Sequence, residues 1–200
     1  MESLYECLLC DQGIPMRTVS SEKQPDLCAH LEAKRNAILH GQSCGAYEAL
    51  FRLYERYTDV PMPRICYREN GKPYFEGNLP YFSLSHTDGM SLACLSFTHE
   101  IGADIESVIR AQECGKADAY RALAVRMFFS EELDALSQFL TDDEFLLAFL
   151  SVYTQKEALA KLLSVPVMQI NTKKPPKNVH VCTVKTENGA YIYSVALLQK

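Results

Sequence analysis

The sequence predicts an α+β fold in two similar halves meeting near residue 100, and three observations carry that expectation. Short apolar stretches that alternate or are rich in β-branched and aromatic residues are interspersed with segments whose apolar residues recur every three or four positions. Each half reads as an opening strand, then helices, then a hairpin, and the tripeptide Glu-Asn-Gly recurs at 69–71 and 187–189. A hydrophobic content of 48% is enough to build a real core. The halves are placed at residues 1–98 and 99–200, and a cleft between two halves is a common place for a ligand.

The elements follow in order. "YECLLCDQGIP" reads as an opening strand ended by Gly13 and Pro15. From Asp26 to Tyr57 the spacing turns helical, with Leu31, Ala33 and Ile38 in one segment and Tyr47, Leu50, Phe51 and Tyr54 in a second. Gly41 and Gly45 are expected to punctuate the two. Asn70-Gly71 predicts a tight type I′ hairpin with positive φ at both central residues. "SLACLSF" (91–97) then leads through a turn at His99-Glu100 into a second strand, "IGADIES" (101–107). Helices are expected from Lys116 to Phe129, from Ser130 to Phe139 with Ser130 at the cap and Leu133 at N3, and from Asp142 to Leu163, where Pro166 ends the last. "NTKKPPKN" (171–178) reads as an exposed basic loop, and the tail as a hairpin with Asn188-Gly189 at its tip.

Several function classes are excluded. No apolar run reaches the roughly 18 residues a membrane span needs, and the N-terminus lacks the basic region of a signal peptide. The cytoplasm is therefore expected, with no membrane partner. A formal net charge of -5 argues against nucleic-acid binding. Of the eight cysteines only Cys7 and Cys10 make a C-x-x-C pair, and Leu8-Leu9 between them suit a buried strand better than a zinc knuckle. Reduced core thiols are the expectation, and a cysteine-based metal or redox protein the rival.

Three stretches carry the chemistry. In "IGADIES", Asp104 and Glu106 share one face of a strand, with Ala103 and Ile105 on the other. Two like charges so close repel unless both lie in water or a cation sits between them. "SLSHTDG" ends a strand at Ser85 and His86. In "YTQKEALAK", Lys156 and Glu157 are adjacent and Lys161 lies one helical turn after Glu157. Three carboxylates without histidine or thiolate suit magnesium, and lysines beside them neutralise phosphate oxygens, so together these are parts of a phosphate-transfer site. Taken singly each has a bland reading: Glu157 and Lys161 as a solvated ion pair, His86 as a structural histidine, Asp104 and Glu106 as the polar side of an edge strand.

The series "GKPYFEGNLPYFSLSHTDG", "IGADIES", "RMFFSEELDAL" and "FLLAFLSVYTQKEALAK" resembles, in order and spacing over residues 71–161, the motifs of the surfactin-synthetase-type 4′-phosphopantetheinyl transferases. The resemblance implies a fold of two similar α+β halves related by a pseudo-two-fold, with the active site in the cleft between them. The first half would make coenzyme A and carrier contacts and the second would hold the metal and the catalytic residues. It further implies that Asp104, Glu106 and Glu157 bind magnesium, or manganese in its place. Lys72, Ser85, His86, Lys156 and Lys161 would hold the phosphates of coenzyme A, and Arg35 would grip its 3′-phosphate. The implied reaction moves phosphopantetheine from coenzyme A to a serine of an acyl or peptidyl carrier protein and releases 3′,5′-ADP. Glu157 and Lys161 are its catalytic residues, the serine's base being left open between Glu157 and a hydroxide held by the metal. The loop "NTKKPPK" is a candidate for docking an acidic carrier, and a monomer is expected. A non-catalytic relative that binds carrier or coenzyme A is the alternative. The chain departs from the family in Tyr153, where Trp is common and aromatic packing is kept, in Ser83 and Thr87, and in lacking the glycine pair that often follows the last lysine.

Overall fold

The structure is a computed structural model and describes all residues except 1–3, 13–15, 18, 35–36, 114–116, 171–174 and 200, together with the side chains of 37–39. Arg35 and residues 171–174 of the basic loop thus lie outside the described residues. The protein is α+β and divides into two units, Met1–Gly102 and Ala103–Gln199.

In the first unit, β1 (Glu6–Asp11) and β4 (Tyr81–Thr87) pair antiparallel on either side of β5 (Met90–Ser96), and a small hairpin joins β2 (Ile65–Tyr67) to β3 (Pro73–Phe75). Helix α1 (Pro25–Glu32) precedes α2 (Ala37–Tyr57), which covers one face of the three-stranded sheet. The expected apolar stripe of α2 is that face: Tyr47, Leu50, Phe51 and Tyr54 are all buried and meet Phe82 and Leu95 of the sheet in one core.

Gly41 and Gly45 do not separate two helices but lie within α2. A Cβ on Gly45 would come 2.8 Å from Ser91 Oγ, so this glycine serves the close approach of helix to sheet. The hairpin turn is not type I′ either. Gly71 has φ 82 while Asn70 has no positive φ, and the Gly71 N–H bonds the Arg68 carbonyl at 2.8 Å, giving a turn of ordinary hand followed by a left-handed glycine. Gly189 repeats it, with φ 69 and its N–H on the Thr186 carbonyl at 2.8 Å.

A further expectation is corrected. Cys7 sits opposite Cys94 in the register of β1 with β5, and the two form a disulfide; Cys10, Cys28, Cys44, Cys66 and Cys182 are free thiols among the described residues. On α2, Glu48 is 3% exposed yet charged: burial pushes its carboxyl up, but hydrogen bonds from Arg17 and Arg52 outweigh this and hold it at about 2. A carboxyl depressed below its unfolded value stabilises the fold above that value, near pH 4.5, and the contribution drains away as pH falls toward 2. Glu48→Gln should flatten this part of the acid-unfolding curve while costing about 2 kcal/mol at pH 7, a figure reduced for solvent around the two arginines, as chemical unfolding at several pH values would show.

The boundary between the units falls within β6 (Ile101–Ser107), whose residues from Ala103 on belong to the second; β6, β8 (Tyr191–Leu198) and β7 (Val179–Lys185) form a sheet in that order. Short helices α3 (Val108–Glu113), α4 (Ala117–Met127) and α5 (Ser130–Leu136) precede the long α6 (Asp142–Leu163), which packs on the sheet. Thr141 and Glu144 cap α6 reciprocally through side chain and backbone. At its other end Ser164 adopts φ 57, the left-handed position a glycine takes at no steric cost and a serine holds at about 1 kcal/mol. The missing glycines are thereby replaced. For α5 the cap is Phe129 rather than Ser130: Glu132, now at N3, accepts the Phe129 N–H at 3.1 Å, and Ser130 Oγ turns to Glu131 instead. No helix among the described residues is long and apolar enough to cross a membrane.

Candidate active site

A hydroxyl ladder sets the rotation of α6 over its sheet. Thr154, fully buried, bonds Ser194 of β8 at 2.8 Å, and Ser194 bonds Thr183 of β7 at 2.8 Å. Each residue of a helix advances about 100° around the axis. With Thr154 aimed at the central strand, Gln155 turns toward β7, where its Nε2 donates to Thr183 Oγ1 at 2.9 Å. Tyr153, Glu157 and Lys161 fall on the opposite side, toward β6. Along this ridge, Phe145, Phe149, Tyr153, Glu157 and Lys161 stand four residues apart, so it passes from aromatic core to charge.

The strand meets this ridge with its acids. Asp104 is 6% exposed and Glu106 partly buried, while Ala103 and Ile105 on the other face are fully buried, which rules out a simple solvated edge. Lys161 Nζ donates to Asp104 Oδ1 at 2.7 Å, joining residues 57 apart. The lysine thus bonds the strand acid, and its charge also acts on Glu157, so the bland reading of a solvated pair with Glu157 alone does not describe it. Glu157 is pushed up in pKa by burial and by the charge of Asp104, against the opposing pull of Lys161 and of the Tyr153 hydroxyl, which donates to Glu157 Oε1 at 3.1 Å. Burial, then Glu157, then Glu106 and Asp104 raise Tyr153 in turn, so all three carboxylates act on one place. The Tyr153–Glu157 bond is what the sequence reading missed, although the spacing of four was there to signal it.

Lys156 lies elsewhere. It is 4% exposed, bonds Glu132 at 2.8 Å, and has its ammonium 4.7 Å from the centre of the Phe129 ring and 5.6 Å from that of Phe128. The structure brings Asp104, Glu106, Glu157 and Lys161 together and turns Lys156 into a neighbouring aromatic pocket.

The remaining candidates belong to the first unit. Lys72 precedes β3 in a cleft with Arg68, Tyr81 and Glu100; burial brings its pKa down to about 8, against the charge of Glu100. Ser85 and His86 are successive residues of β4 and project to opposite faces. His86 shares the face of Phe82 and Leu84, which enter the core under α2, whereas Ser85 is buried with Ser83 and Thr87 on the other.

The donors fit a divalent cation in chemistry and charge. All are hard carboxylate oxygens, three carboxyls beside one ammonium, and Glu157 is raised in pKa first by burial and then by the charge of Asp104. Among the described residues no group of three or more carboxylate, imidazole or thiol side chains is placed to hold a metal ion as the structure stands, and Lys161 Nζ donates to Asp104.

Residues 100–194, which contain this whole cluster, match the family model of the 4′-phosphopantetheinyl transferase superfamily. The chain is also similar to the 4′-phosphopantetheinyl transferase AcpT of Salmonella typhimurium, 37% identical over 102 residues, covering 50% of each protein. The protein of the same name from Escherichia coli K12 is 37% identical over 109 residues, 52% of this chain and 51% of that one. The chain spans about half the length of the curated relatives it matches.

Proposed function

We propose that the protein transfers 4′-phosphopantetheine from coenzyme A to a serine of an apo acyl or peptidyl carrier protein, releasing 3′,5′-ADP, as a transferase of the surfactin-synthetase type. The observation that carries the reading is the convergence of Asp104, Glu106, Glu157 and Lys161 from β6 and α6 within the segment that matches the superfamily. The G-K-P at 71–73 and the S-L-S-H at 83–86, outside that segment, support the finer type. A magnesium or manganese ion held by Asp104, Glu106 and Glu157 would supply electrostatic stabilisation to the pyrophosphate under attack.

The chain's own residues do the rest. Lys161, a compact cation beside Asp104, offsets the charge of the departing 3′,5′-ADP. Glu157, raised in pKa by burial and by the charge of Asp104, is one candidate to take the serine proton, a role that its binding of the cation would oppose. Lys72, drawn down in pKa to about 8 by burial, would be raised again by a phosphate of coenzyme A, with His86 and Ser85 as further phosphate contacts and Arg35 proposed for the 3′-phosphate. Lys156 acts through Glu132, by holding α5 against α6. The reading places the protein in the cytoplasm as a monomer, since neither substrate asks for a membrane or a second copy.

Incubation with coenzyme A, magnesium and a panel of apo carriers should add one phosphopantetheine to at least one carrier, read by intact mass. No addition to any carrier would overturn the reading, and retained coenzyme A binding in that case would mark an adaptor instead.

A further inference from the structure

Tyr153 stands where an aromatic ring alone would suffice for packing, yet its hydroxyl is used. The ring is stacked on Phe149, with centroids 5.8 Å apart and planes 13° from parallel, and Phe149 itself is 1% exposed at the centre of an aromatic cluster. The phenol is therefore aimed by the core. It donates to Glu157 Oε1 at 3.1 Å from one helical turn before, a geometry in which backbone, ring and carboxylate are fixed by the same helix. A carboxylate so held keeps one oxygen on the phenol and leaves Oε2 for another partner.

We infer that Tyr153 is a positioning residue: its hydroxyl fixes the Glu157 carboxylate in a single orientation and commits it to bind a divalent cation through one oxygen. The inference rests on the metal role given to Glu157 above and adds to it the part played by this chain's tyrosine. Outer hydrogen bonds of this kind typically change metal affinity by about 10- to 100-fold when removed. The indole found at this position in the resembling family has no phenolic hydroxyl to make the same bond, so the tyrosine is a choice with a chemical consequence rather than a neutral aromatic exchange.

Binding of Mn2+ alone, followed by loss of its free-ion electron paramagnetic resonance signal, tests this without any turnover. Tyr153→Phe keeps the stack on Phe149 and removes only the hydroxyl, and an unchanged thermal midpoint would confirm that packing is preserved. We expect the variant to bind Mn2+ about 10-fold more weakly, and the metal concentration for half-maximal transfer to rise by the same factor. Glu157→Gln, measured alongside, separates the two claims. If Glu157→Gln weakens binding and Tyr153→Phe matches the wild type within about twofold, the positioning role is overturned and the metal role stands. If the wild type binds no better than Glu157→Gln, the metal role falls and this inference with it.

Discussion

Glu157→Gln should cost about 100- to 1,000-fold in transfer while leaving the protein as stable as before or slightly more so. The two halves of that expectation come from the same electrostatics. Glu157 is partly buried beside Asp104, both of which penalise its charged form. The amide fills the same space and still offers an oxygen to the Tyr153 hydroxyl, so packing on the ridge survives. What disappears is a like-charge contact in a poorly solvated place, a relief worth a few tenths of a kcal/mol once solvent screening is included. What the reaction would lose, on the proposed reading, is an anionic oxygen ligand of the divalent cation and an acceptor for the serine proton, and removing one such group costs about 3 to 4 kcal/mol in a water-poor site. A residue retained only for structure would behave oppositely, with stability lost and activity falling with it. Steady-state transfer to a carrier and urea unfolding of the same preparation decide the matter: a variant with most of its activity would remove Glu157 from the site.

Much of this site could be read before any coordinates, because its parts are local patterns. The two-residue spacing of Asp104 and Glu106 places them on one face of a strand whatever the tertiary fold. Helix α6 runs from Asp142 to Leu163 as its periodicity and Pro166 indicate. What escaped the sequence depends on contacts between distant residues. Lys161 has an acid one turn away, and only packing on β6 brings to it a second one 57 positions away. Gly45 looks like a helix breaker until Ser91 is seen against it. Cys7 has a nearer cysteine at 10, yet the register of β1 with β5 sets it against Cys94 instead. In α5 the choice of Phe129 over Ser130 as cap follows from Glu132, whose carboxylate is fixed from the other side by a lysine of α6.

That carboxylate supports the second large effect. Glu132→Ala should destabilise the protein by about 3 to 5 kcal/mol, far more than a surface ion pair would. Its Oε2 accepts two hydrogen bonds, from the Phe129 N–H and from Lys156 Nζ at 2.8 Å. Truncation strands an ammonium whose side chain is 5% exposed, leaving it the faces of Phe128 and Phe129 among the described residues, and also removes a helix cap worth about 1 kcal/mol. Lys156→Met should cost less, because Glu132 is 18% exposed and keeps its backbone donor while the thioether fills the space between the rings. The pair replaced together, Glu132→Leu with Lys156→Met, should recover most of the loss, since an apolar pair of similar volume carries no desolvation cost. Unfolding of Glu132→Leu, Lys156→Met and the pair together in urea closes the cycle and gives the coupling energy, with Glu132→Ala measured beside them. A loss below about 1 kcal/mol for Glu132→Ala would mean that Lys156 swings out to water, and would return it to the residues available for a phosphate.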